Sequence, residues 1–151
     1  MTEPQTVVTS SWSTSLPEGY ARIGISRGPP RGQRGYRTYR ALAPGPWLWS
    51  VTEEEFCRRY LAQLGFLDPR KVLADLTELA GHRMPALLCF EQPPPDPRPC
   101  HRGLVSAWFA ETVGVIVPEY GHETKGSGWS HPKLSAIAST PSLLSSRPCA
   151  Q

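Results

Sequence analysis

Apolar positions along the first 120 residues follow the periods expected of a mixed α/β domain. Short runs rich in β-branched residues predict strands, and apolar residues repeated every three or four positions predict helices. The predicted order is strand, strand, helix, helix, strand, helix, strand. These elements cover residues 7–12, 20–26, 52–65, 68–81, 85–90, 100–113 and 115–117.

Two of the predicted helices carry clear start signals. Thr52 followed by Glu55 forms a capping box, in which the Thr hydroxyl accepts a backbone N–H bond at the helix start. Asp68 caps the second helix, and Pro69 suits its first position because that position needs no N–H donor. These signals fix the starts of both helices from sequence alone.

Strand–helix–strand units with continuous apolar runs indicate a mainly parallel sheet. We therefore expect one compact α/β domain over residues 1–120, with the sheet flanked by helices in a Rossmann-like three-layer arrangement. Residues 31–49, rich in Gly and Pro, are predicted to form a long functional loop. Beyond residue 120 the periodicity is lost, which predicts a disordered tail over residues 121–151.

Composition narrows the class of protein only in part. The chain has 151 residues and a net charge of +3, which excludes neither an enzyme nor a nucleic-acid-binding protein. No apolar run approaches the roughly 18 residues of a membrane helix, so we expect no membrane partner. The four cysteines lie far apart without a Cys-x-x-Cys pair, and the N-terminus lacks the pattern of a signal peptide. We therefore expect reduced thiols in a cytoplasmic protein.

Polar residues follow the predicted strands at the edge where parallel α/β sheets bind ligands. Three such groups fall at this edge, and we expect them to share one pocket. The groups are Ser26 and Arg27 after the second strand, Cys89 and Glu91 at the end of the third, and Cys100, His101 and Arg102 at the start of the third helix.

A helix N-terminus favours an anion, which suggests roles for these residues. Arg27 and Arg102 would hold a phosphate or carboxylate, with Ser26 and Cys89 as further ligand contacts. The catalytic candidates are Glu91 as general base or ribose acceptor, His101 as acid or base, and Cys100 as a nucleophile activated by the helix dipole.

Structural alternatives stand beside these roles. Arg102 could simply pair with Glu91 or Glu111, which would make the ion pair part of the core. The spacing of Cys89, Cys100 and His101 does not match a zinc site, so we expect no metal. The cysteine-phosphatase pattern is absent, because neither Cys89 nor Cys100 is followed six positions later by Arg.

A second signal is a cationic segment with interleaved aromatic residues. Six arginines fall between positions 22 and 40, and no acidic residue lies between Glu18 and Glu53. Arginine with aromatic residues suits phosphate contacts and base stacking, whereas the alternative is a solvated loop paired with residues 53–55. The nucleic-acid-binding candidates are Arg31, Arg34, Tyr36, Arg37, Tyr39 and Arg40.

The same residues resemble a known family. The strand end Cys89-Phe90-Glu91, followed after a proline-rich loop by Cys100-His101-Arg102, is similar to the domain-of-unknown-function 488 family, and the likeness covers about residues 7–120. It implies a compact α/β domain with Cys89, Glu91, Cys100, His101 and Arg102 at a common site, but no agreed activity. The chain departs from the family pattern at Gly103, where a second basic residue is common, and in its C-terminal extension.

Three hypotheses for the function follow. The first is an enzyme or sensor of a phosphorylated small molecule such as a nucleotide, and the second is a nucleic-acid-associated protein that reads or modifies a base. The third is a non-catalytic structural or interaction module in which Glu91 and Arg102 form a buried ion pair. The sequence leaves the cofactor and any protein partner unknown.

Overall fold

Four short strands pair in parallel to form the central sheet. They are β1 (Val8–Ser11), β2 (Tyr20–Gly24), β3 (Tyr36–Thr38) and β4 (Met84–Cys89), in the spatial order β1-β4-β2-β3. The apolar strand β4 lies inside the sheet and β3 lies at an edge, as expected for a buried run beside a short polar one. This computed structural model describes residues 6–27, 32, 34–46, 50–90, 101–129 and 131.

Three helices complete the regular structure, and two begin where their caps predict. The helices are α1 (Glu53–Gly65), α2 (Pro69–Ala80) and α3 (His101–Val113). The Thr52 hydroxyl accepts the Glu55 N–H at 3.1 Å, and the Asp68 carboxylate accepts the Arg70 N–H at 3.0 Å. The local signals in the sequence therefore act in the fold as expected.

The two faces of the sheet are covered differently. Thr9, Leu87 and Ile23 share one face by register. All three helices pack there, in one core cluster that includes Ile23, Leu87 and residues of each helix. On the opposite face, the described residues supply aromatic side chains in place of a second helical layer. This aromatic cover consists of Trp12, Tyr20, Tyr36 and Tyr120.

The parallel α/β class is confirmed, with two differences in the strands. β3 lies inside the segment predicted to be a loop, where its three residues pair with β2. The predicted last strand, residues 115–117, forms no ladder among the described residues, and a single parallel bridge joins Thr9 to Glu119 instead.

The chain continues to pack against the domain beyond residue 120. The C-terminal strap, which we define as residues 117–129 and His131, lies against α3. The Ser106 hydroxyl of α3 donates to the Val117 carbonyl and accepts the Gly128 N–H at 2.9 Å, and His131 is 1% exposed. The folded unit therefore extends past the predicted boundary at residue 120, while residues 132–151 lie outside the described part.

Two further findings concern membrane-spanning helices and the oxidation state of the cysteines. In the described part, no helix combines the length and apolarity needed to cross a bilayer. Cys57 is disulfide-bonded, which corrects the expectation that all thiols are reduced, and Cys89 is the free cysteine of the described residues.

Candidate functional site

A surface pocket opens at the carboxyl ends of β2 and β3. Its volume is about 490 Å³, within the range of small-molecule sites. Eleven described residues line it: Trp12, Gly24, Ser26, Arg27, Tyr36, Thr38, Arg40, Ala43, Pro44, Gly45 and Gln63. The sequence argument placed a ligand site at this edge of the sheet, and the pocket lies there.

The floor of the pocket is built on Trp12. The indole lies directly over Gly24, where a built Cβ would approach the ring to 2.8 Å, so glycine is needed at this position. The indole N–H donates to the Ser26 hydroxyl at 3.2 Å, and the Tyr36 ring meets the indole edge-on at 5.2 Å between centroids. Arg22 lies 5.7 Å from the indole centroid. These contacts hold an aromatic floor with a polar rim.

The outer wall, residues 40–45, is fastened to α1. The Tyr60 hydroxyl donates to the Leu42 carbonyl at 2.5 Å, and the Gln63 amide donates to the Ala43 carbonyl at 2.7 Å. Both Leu42 and Tyr60 are fully buried, so the wall rests on the core. A wall bonded in this way gives a pocket that is already formed without a ligand.

Two arginines bring positive charge to the pocket. Arg27 follows β2, and Arg40 begins the short 3₁₀ turn of the outer wall. Both side chains are exposed, and neither is in an ion pair with another described residue. The Arg27 guanidinium lies 3.5 Å from the Pro44 carbonyl across the pocket. Guanidinium groups placed in this way suit a phosphate or carboxylate.

The end of β4 contacts a buried ion pair that is separate from the pocket lining. The Arg102 guanidinium donates to both carboxylate oxygens of Glu119, at 3.0 and 3.2 Å, and to the Cys89 sulfur at 2.9 Å. Thr9 donates to the same carboxylate at 2.7 Å. The Arg102 and Glu119 side chains are 0% and 1% exposed. Arg102 and Cys89 therefore belong to a buried network and are not among the residues that line the pocket, so their role as ligand contacts stays a prediction.

His101 supports the end of β2 from inside. Its Nε2 lies 2.7 Å from the Ile25 carbonyl, which can only accept, so Nε2 carries the proton. The ring packs edge-on against Tyr60 at 5.4 Å, and His101 is 4% exposed. Because Ile25 directly precedes Ser26, the role that this geometry supports is to position the pocket edge. The acid–base role of His101 stays a prediction.

The structure brings together part of the predicted site. Ser26 and Arg27 line the pocket, while Cys89, His101 and Arg102 are buried and do not line it. Glu91, Cys100 and Arg31 lie outside the described residues. Sequence reasoning missed Trp12, Gln63 and Glu119. Only Glu119 carried a usable signal, because it lies two positions after the last predicted apolar strand, at the same edge of the sheet.

The cationic segment is divided between several surroundings. Arg40 and Tyr36 line the pocket, whereas Arg37 is exposed on the edge strand β3 and Arg34 is exposed two residues before it. Tyr39 packs against the core and donates to the Asp75 carboxylate at 2.6 Å. The alternative prediction was that the arginines of this segment pair with residues 53–55. Glu55 instead binds Arg58 and Arg59 of its own helix.

The Tyr39–Asp75 contact predicts a pH dependence of stability. The Tyr39 hydroxyl and then Lys71 hold the pKa of Asp75 below its usual value of 3.8. A lowered pKa means that this stabilisation is present above that value and is lost as the pH falls through the lowered pKa. Asp75→Asn should therefore have a lower urea midpoint than wild type at neutral pH, and the two midpoints should converge in acid. A constant difference across this range would contradict the role of the carboxylate.

The histidine, cysteine and carboxylate side chains of the described residues form no group of three that could hold a metal ion.

Comparison with known proteins identifies one family. The family model described as the active DUF488-N3 subclade matches residues 7–113. No curated protein and no solved structure matches the chain. The matched range begins just before β1 and ends with α3, so it covers the sheet and all three helices.

Proposed function

Because the chain belongs to the active DUF488-N3 subclade, we propose that its pocket binds a small anionic ligand of the nucleotide type. The observation that carries this proposal is the presence of two exposed arginines, Arg27 and Arg40, in one pocket with an aromatic floor. A guanidinium pair suits a phosphate group, and the Trp12–Tyr36 pair suits a planar base. The pocket volume of about 490 Å³ accommodates one such ligand.

The chemistry of the pocket divides the ligand into two ends. The anion would lie between Arg27 and Arg40 at the open side, where both side chains are exposed. The base would lie toward Tyr36, which is half-buried at the floor. The Ser26 and Gln63 side chains supply polar groups that can contact a sugar or a ring edge. The description of the subclade as active is consistent with an enzyme, and it names no reaction.

Thermal-shift measurements test this binding. The probes are nucleoside monophosphates with each of the common bases, the corresponding nucleosides, and inorganic phosphate. A monophosphate at 100 times its Kd should stabilise the wild type by about 2.7 kcal/mol. Nucleosides should give a smaller shift, because they lack the group that the two arginines hold.

Variants locate the binding in the pocket. Arg27→Gln and Arg40→Gln should each weaken monophosphate binding about tenfold or more, because a hydrogen bond to a charged group contributes about 1.5–3 kcal/mol. Arg70→Gln is the matched control, since Arg70 is exposed at the start of α2 and does not line the pocket. Equal shifts in wild type and in the Arg27→Gln, Arg40→Gln double variant would overturn the proposal.

A further inference from the structure

A second groove lies on the same edge of the sheet as the pocket, at the opposite end of β3. We name it the amino-edge groove. Its volume is about 530 Å³, and its lining includes Arg22, Arg37, Glu78, His82 and Arg83. Tyr36 lines both this groove and the pocket, so the two concavities share one residue.

The amino-edge groove has an excess of positive charge. Arg37 comes from the edge strand, and His82 and Arg83 come from the turn between α2 and β4; all three are exposed. Neither Arg37 nor Arg83 is in an ion pair within the described part of the chain. Glu78 is the one acidic residue among the described lining residues. Three arginines against one carboxylate favour a polyanion.

The positions of the two concavities match a chain of phosphates. The three residues of β3 span about 10 Å, so the groove and the pocket lie within reach of two or three consecutive phosphates. The pocket volume of about 490 Å³ could take one nucleotide and is too small for a base pair together with its backbone, which favours an unpaired strand.

We propose that the amino-edge groove binds the backbone of a single-stranded nucleic acid, one nucleotide of which enters the pocket. This inference rests on the proposed function for the placement of that nucleotide. Arg37 and Arg83 would contact phosphates next to the nucleotide in the pocket, and Glu78 would oppose them by like-charge repulsion.

Fluorescence anisotropy with a labelled single-stranded DNA of mixed sequence tests the proposal. The Arg37→Gln, Arg83→Gln double variant should bind at least about tenfold more weakly and reduce the slope of log K against log salt by about 1.4, at about 0.7 per phosphate contact. Glu78→Gln should bind more tightly than wild type, a gain that misfolding cannot produce. Arg70→Gln is again the control and should match the wild type.

Two sets of outcomes separate the groove from the pocket. An unchanged salt slope in the double variant, with monophosphate shifts intact, would overturn the groove and leave the pocket. Groove-dependent DNA binding without any monophosphate shift would overturn the pocket as the nucleotide site.

Competition by polyglutamate as effective as that by unlabelled single-stranded DNA would overturn the nucleic-acid partner in favour of an acidic protein. Duplex DNA should compete less well than the single strand.

Discussion

Replacing Arg102 by alanine should destabilise the domain by about 3–5 kcal/mol. The substitution leaves the Glu119 carboxylate buried at 1% exposure without its bidentate partner, and an unpaired buried charge is strongly destabilising. It also removes the donor to the Cys89 sulfur. The measurement is urea unfolding followed by circular dichroism, with the midpoint and slope compared with those of wild type.

Two further variants show whether the loss of stability comes from the unpaired charge of Glu119. The Arg102→Met, Glu119→Leu double variant should recover much of the lost stability, because removing both charges removes the desolvation cost. Arg58→Ala breaks an exposed ion pair on α1 and should change the midpoint little. A wild-type midpoint for Arg102→Ala would contradict the buried pair. The expected destabilisation makes Arg102→Ala a poor probe of ligand binding, since a loss of binding in this variant would follow from unfolding.

Gly103→Ala should destabilise the domain by about 1–3 kcal/mol, as overpacked substitutions do. A Cβ built at Gly103 would lie 2.4 Å from the Cβ and 2.6 Å from the backbone N of His131. Because the clash involves backbone, the C-terminal strap must move away from α3. The change should appear in urea unfolding and as faster tryptic cleavage after Lys125, which is exposed in the strap.

Gly65→Ala is the matched control for this substitution. Gly65 is also helical, and a Cβ there would meet no atom within 4 Å. Alanine at such a position should be neutral or slightly stabilising. Unchanged stability and cleavage in Gly103→Ala would show that the strap does not lie on α3.

The elements that sequence predicted well are those with local signals. Thr52 and Asp68 cap their helices by bonds to residues two or three positions away, and β4 is a continuous apolar run. β3 was missed because its three residues, two of them exposed, carry no period. They form a strand only by pairing with β2, an interaction that no local pattern encodes.

The sequence predicted at which edge of the sheet the candidate site lies, but it predicted only some of the residues that line the pocket. A parallel sheet directs ligands to its carboxyl edge, and this rule located Ser26 and Arg27. The rule could not tell which polar residues at that edge face solvent. Arg102 faces inward because Glu119, seventeen positions later in the chain, returns beside β1 to bind it. Trp12 could be assigned to the floor only once Gly24 was known to lie beneath it.

The indole N–H of Trp12 offers the most direct test of the nucleotide site. This proton faces Ser26 at the pocket, so its NMR signal reports on ligand in that position, and Trp12→Phe assigns it among the five tryptophans. Titration with a nucleoside monophosphate should shift this signal saturably in wild type. The shift should be absent in the Arg27→Gln, Arg40→Gln double variant. An unmoved Trp12 signal, or an equal shift in the double variant, would contradict a nucleotide site between these arginines.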